Sequence, residues 1–152
     1  MLPVPTRYTL VAAAAEGKQE LNAFDQALLK AGVGNVNLLR VSSILPPGTG
    51  FTPALVIPPG SLVPIAYGSL VSEEKDALIA AAVAVGVGVK DFGVIMEFAG
   101  YCGKKDAEAR VEEMVEEAFA YRGMKLHEIK VIGVEHRVIR CGCVFAGVPL
   151  WY

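Results

Sequence analysis

Cysteine is scarce in this chain: there are 3 in 152 residues, at positions 102, 141 and 143. An odd set of three cannot build the disulfide framework of a small secreted fold. It favours a reducing compartment, so the expected location is cytoplasmic. Basic runs are missing as well. With 14 Lys and Arg against 16 Asp and Glu, the formal net charge is -2, and no cluster of cations offers a surface for nucleic acid. No apolar run is long enough to cross a membrane. The longest, Ala77 to Val89, falls short of the roughly 20 residues a bilayer requires and contains Gly86 and Gly88. The N-terminal apolar stretch after Arg7 is short, lacks a charged start and ends in Glu16-Gly17-Lys18, so it reads as a first strand rather than a signal peptide.

Several chemical signatures are absent too. No GxGxxG follows a strand into a helix, and no GxxxxGK[ST] phosphate loop is present; Gly86-Val-Gly-Val-Lys90 matches neither. A Ser-His-Asp triad has no nucleophile elbow to stand on. Cys141 and Cys143 share one face of a strand but lack a CxxC partner or a nearby histidine, so they read as buried thiols and not as metal ligands. His127 and His136 fall in one strand region and read as structural or exposed. No metal is expected.

What the chain does have is apolar mass. Hydrophobic residues make up 53% and charged residues 20%, with a mean hydropathy of +0.45. Either the core is large for the chain's length, or neighbouring subunits cover part of the apolar surface. The second reading favours an oligomer.

The pattern along the chain predicts one domain over 1–152. A strand runs from Arg7 to Ala15. A short helix follows from Leu21 to Ala31, with Leu21, Phe24, Leu28 and Leu29 at helical spacing and Gly32 for its exit. Asn35 to Leu45 reads as a strand, then a stiff Pro- and Gly-rich loop runs to Gly60. Strands are expected over Leu62–Ser72, Ala77–Gly88 and Phe92–Tyr101. Lys104 to Arg122 is the clearest helix, with Ala107, Val111, Met114, Val115 and Ala118 in one stripe. Its Glu112, Glu113, Glu116 and Glu117 fall largely off that stripe and read as a solvated face. Leu126–Val138 and Arg140–Pro149 close the chain as two strands. Strands outnumber helices and are joined by short turns, which implies an α/β sandwich of α+β type with mostly antiparallel pairing. The number of layers does not follow from the pattern.

The informative segment is Asn35-Val-Asn37-Leu-Leu-Arg-Val-Ser42-Ser43-Ile-Leu-Pro-Pro-Gly48. Two serines at a strand end are ordinary by themselves. Their company is not: Asn22-Ala-Phe-Asp25 stands upstream, Gly34-Asn-Val-Asn37 just before, and Glu97-Phe-Ala-Gly100 far downstream. In this combination the chain closely resembles the pyruvoyl-dependent arginine decarboxylases, from its first strand to the closing Pro149-Leu-Trp-Tyr152. The resemblance implies a multilayer αββα sandwich that cuts itself between Ser42 and Ser43, giving a β chain (1–42) and an α chain (43–152). The cofactor would be a pyruvoyl group made from Ser43, with neither pyridoxal phosphate nor metal. Trimers of cleaved protomers, with active sites between them, would turn L-arginine into agmatine and CO2 for polyamine biosynthesis.

The chemistry of such a serine pair is intelligible in itself. A hydroxyl held against the preceding carbonyl carbon can convert the amide to an ester, helped by backbone strain and by a donor aimed at the oxyanion. β-Elimination and hydrolysis then leave a keto-amide. Its ketone can condense with an amino acid's α-amine and take up the electrons released as CO2 departs. The carbon left behind must be protonated. Glu97, a charge inside the apolar strand Gly-Val-Ile-Met-Glu97-Phe-Ala-Gly, could be that donor or merely an outward-facing residue. The resemblance implies the donor. It also implies a positioning role for Asn37 and a contact from Asp25 to the substrate guanidinium, a pairing suited to a carboxylate. On the residues alone, Asp25 could be no more than an exposed helix position. The same serine chemistry would also serve a histidine or aspartate decarboxylase, and a non-processing binding or assembly protein could keep the fold.

Overall fold

A computed structural model describes the uncut chain, Met1–Tyr152. The elements are β1 (Arg7–Tyr8), β2 (Val11–Glu16), α1 (Glu20–Ala31), β3 (Asn37–Arg40), β4 (Ile44–Leu45), β5 (Gly50–Phe51), β6 (Leu62–Ser72), β7 (Leu78–Val87), β8 (Gly93–Gly100), α2 (Lys104–Tyr121), β9 (Glu128–Arg137) and β10 (Gly142–Trp151). They form two sheets. The first is six-stranded, in the order β3-β6-β10-β1-β5, with β2 also paired to β10; the second is four-stranded, in the order β4-β8-β7-β9. Pairing is antiparallel except for β3 with β6 and β1 with β5.

Alternation along the strands creates the layers. In β7, Ile79, Ala81, Val83 and Val85 face the first sheet, while Ala80, Ala82 and Ala84 face α2. In β10, Val144, Ala146, Val148 and Leu150 enter the space between the sheets, while Cys143 and Phe145 face α1. A strand buried on both faces reads as a continuous apolar run, which is why Ala77–Gly88 shows no polar alternation. Three core clusters therefore separate four layers, α1, first sheet, second sheet and α2. The expected αββα sandwich is the fold.

Both helices form where the sequence places them. α1 buries Ala23, Ala27 and Leu28 and ends at Gly32, whose φ of 85° lets its N–H turn back to Leu28 O and Leu29 O. α2 buries Ala107, Val111, Val115, Ala118 and Phe119, and Glu112, Glu113, Glu116 and Glu117 stay exposed. Each large apolar side chain so buried is worth about 1.5–3 kcal/mol. No helix is long and apolar enough to cross a membrane.

Two expected strands are broken. Arg7 to Glu16 runs along β10 in one register but is interrupted at Thr9–Leu10. The cause lies across the ladder: Thr9 would face Pro149, which accepts from Thr9 N–H at 3.3 Å but has no N–H to return. Asn35–Leu45 divides into β3 on the first sheet and β4 on the second. The switch between sheets falls at Ser42 and Ser43.

Candidate active site

The site is built from that switch. Val41 N–H still donates to Ile65 O of β6 at 3.0 Å, but two residues later Ser43 O accepts from Ile95 N–H of β8 at 2.8 Å. Between these bonds the chain leaves one sheet for the other. Ser43 absorbs the turn with φ at 108°, a region that side-chain-bearing residues seldom occupy and that costs about 1–3 kcal/mol. Neither Ser42 O nor Ser43 N–H has a hydrogen-bond partner. The peptide between the serines is thus strained at one end and untethered at both.

β8 brings the acid. Ile95 and Ala99 pack into the space between the sheets, while Met96 and Phe98 pack toward α2, so alternation turns Glu97 toward the inter-sheet space. Its Oε2 lies 3.5 Å from Ser43 Oγ, at the long end of hydrogen bonding. Close approach of the sheets at this corner depends on Gly68 of β6. A Cβ there would stand 3.1 Å from the backbone C and O of Phe98, the residue after Glu97. Burial pushes the Glu97 carboxyl above the usual carboxylate range, against the opposing pull of the Arg40 charge and the Ser43 hydroxyl.

Arg40 had no role in the sequence reading. It is the last residue of β3, its Nη2 donates to Tyr67 O at 2.6 Å, and its guanidinium lies over the Tyr67 ring, 4.4 Å from the centroid. Its sequence context, Asn37-Leu-Leu-Arg40 on a largely exposed strand, carries no signal beyond a cation three residues before Ser43.

The other two expected site residues are not brought to Ser43 within one chain. Asn37 begins β3 and is exposed; its Nδ2 donates to Gly60 O at 3.0 Å. Five residues lie between it and Ser43, six steps along the chain that can span up to roughly 20 Å. Asp25 is exposed on α1. The chain's two ion pairs, Glu128–Lys130 and Glu16–His136, do not involve it. Cys141 and Cys143 are buried free thiols, His127 is exposed, and His136 is taken up by Glu16 at 2.6 Å. No group of three or more His, Cys, Asp or Glu converges on one point.

Comparison with known proteins agrees with the geometry. The family model described as pyruvoyl-dependent arginine decarboxylase matches residues 7–151. The chain belongs to this family. A protein of Methanocaldococcus jannaschii that bears the family's name is 48% identical, over 98% of this chain and 92% of its own length. One of Methanococcus maripaludis is 46% identical over 97% and 92%. One of Pyrococcus abyssi is 48% identical over 86% and 85%. Members of the pyruvoyl-dependent arginine decarboxylase family carry a covalent pyruvoyl group, and the residues here fit one. A strained serine would supply its atoms, the peptide before it carries no backbone hydrogen bond, and a half-buried acid stands beside the hydroxyl.

Proposed function

We propose that this chain is the precursor of an arginine decarboxylase that cuts itself between Ser42 and Ser43 into a β chain of residues 1–42 and an α chain of residues 43–152. The observation that carries the reading is the strained Ser43, with its hydroxyl 3.5 Å from the Glu97 carboxylate, in a chain of this family.

As a carboxylate, Glu97 accepts the Ser43 hydroxyl proton while Oγ attacks the Ser42 carbonyl carbon. Glu97 returns that proton to the leaving nitrogen as the C–N bond breaks, so Ser42 becomes an ester on Ser43 Oγ with the amine of residue 43 free. Loss of the residue 43 α-proton expels the Ser42 carboxylate and leaves a dehydroalanine. One water then replaces its nitrogen, which departs as ammonia. The resulting ketone supplies an electron sink for a substrate amine. Once Ser43 has lost its hydroxyl, one of the two influences that lower the Glu97 pKa is gone, and burial is opposed by Arg40 alone. The acid is then better suited to hold a proton and deliver it to the substrate carbon after CO2 leaves.

Asp25 is assigned to the substrate guanidinium, and Asn37 to positioning the reacting groups. Both side chains are exposed, so we place them in the site of a neighbouring protomer within a cytoplasmic homotrimer. The open edge of the first sheet at β3 supports this placement, as do exposed Leu39 and Ile44 on either side of the serines and exposed Leu62 beside Asn37. The agmatine so formed would feed polyamine biosynthesis.

The test is Ser43→Ala, assayed on a panel of arginine, histidine and aspartate. The variant should fold, stay in one piece and decarboxylate nothing, while the wild type prefers arginine. Turnover by the variant would remove the cofactor assignment, and a wild-type preference for aspartate would remove the substrate.

A further inference from the structure

β3 lies parallel to β6, and its bonds advance in step. Asn37 N–H donates to Ser61 O at 2.8 Å and Val41 N–H to Ile65 O at 3.0 Å, so alternate carbonyls of β6 point at β3. One step further along both strands, the same pattern would join Ser43 N–H to Tyr67 O. That bond is not made. Tyr67 O instead accepts from Arg40 Nη2 at 2.6 Å, and Ser43 N–H is left without a partner.

We propose that Arg40 is a positioning residue for the self-cleavage: by filling the Tyr67 carbonyl it ends the β3 ladder one bond short of the scissile peptide and keeps Ser43 off the first sheet. The inference rests on the self-cleavage reading and deepens it. Had Ser43 joined the ladder, it would take the negative φ of a parallel strand, and the 42–43 peptide would be fastened to β6. Diverted, Ser43 adopts φ of 108°, gives its carbonyl to Ile95 and holds its hydroxyl near Glu97. Arginine suits the task because one planar group both donates to the carbonyl and stacks on the Tyr67 ring, which fixes its direction. A lysine could donate but would be held less firmly.

Two measurements test this. In the Ser43→Ala background, which cannot cleave, exchange of the residue 43 backbone amide with solvent should be rapid. Adding Arg40→Met frees Tyr67 O, and the same amide should become protected. In the otherwise wild-type chain, cleavage followed by mass spectrometry should slow about tenfold or more in Arg40→Met, with circular dichroism unchanged, and Arg40→Lys should recover part of the rate. Wild-type cleavage kinetics in Arg40→Met, or an amide at residue 43 indifferent to that substitution, would overturn the role of Arg40. A wild-type chain that never cleaves would instead overturn the functional reading on which it rests.

Discussion

The roles proposed for Glu97 ask one carboxyl group to take a proton from the Ser43 hydroxyl, 3.5 Å away, and later to deliver one. Its acidity is set by opposed influences: burial favours the neutral form, and Arg40 and the Ser43 hydroxyl favour the ion. Because its pKa is raised, the folded protein keeps a proton that the unfolded chain has lost. Glu97 therefore lowers stability as pH climbs from the ordinary glutamate value through the raised one. Glu97→Gln should be at least as stable as the wild type at pH 7 in urea, yet lose about 10²–10⁴-fold in decarboxylation by any cleaved fraction. Retained turnover would exclude Glu97 as the proton donor. Glu97 drew notice in the sequence because a charge inside an apolar strand needs an explanation, and the family resemblance, not the pattern, implied its role. Arg40, Tyr67 and Gly68 did not, because their roles lie in a carbonyl, a ring face and a missing Cβ that only the packed sheets bring together.

At the scale of elements, a second carboxylate braces the sheets away from the site. Glu16, at the end of β2, accepts from Ile139, Arg140 and Cys141 N–H at 3.2, 2.9 and 3.0 Å and pairs with His136 at 2.6 Å. Burial alone would raise its pKa, but the His136 bond and the three backbone donors outweigh it and bring it down to about 2. A lowered pKa stabilises the fold above the ordinary value of 4.5, and the benefit fades as pH falls toward 2. Glu16→Gln should cost about 1–3 kcal/mol at pH 7, a difference from wild type that narrows in melts at pH 3. A constant difference would mean that the charge is not what matters. Helices were readable from the spacing of their apolar residues, and the long strands from apolar runs bounded by turns. The division of Asn35–Leu45 was not, since the positive φ that turns the chain between sheets falls on a serine and leaves no mark in residue type, and the interruption at Thr9 is imposed by Pro149 across the ladder.

For the whole molecule, one chain brings Ser43 and Glu97 together, while Asn37 and Asp25 are exposed on its surface and bonded to neither. If neighbouring protomers complete each site, two inactive variants should repair one another. Ser43→Ala and Asn37→Ala chains expressed together should form mixed assemblies in which a fraction of sites hold both an intact Ser43 and a neighbour's Asn37. Activity above that of either variant alone is the expected result; none in mixed oligomers would place Asn37 outside the shared site. The surplus of apolar residues hinted at such association, but composition names no partner face. The covalent event itself is the claim most open to direct measurement: the intact mass and N-terminal sequence of freshly purified wild-type protein. The account predicts two fragments divided after Ser42, with the larger one refusing amine-reactive sequencing because it begins with a ketone. A single uncut chain that still decarboxylates arginine, or a larger fragment beginning with an ordinary serine amine, would contradict it.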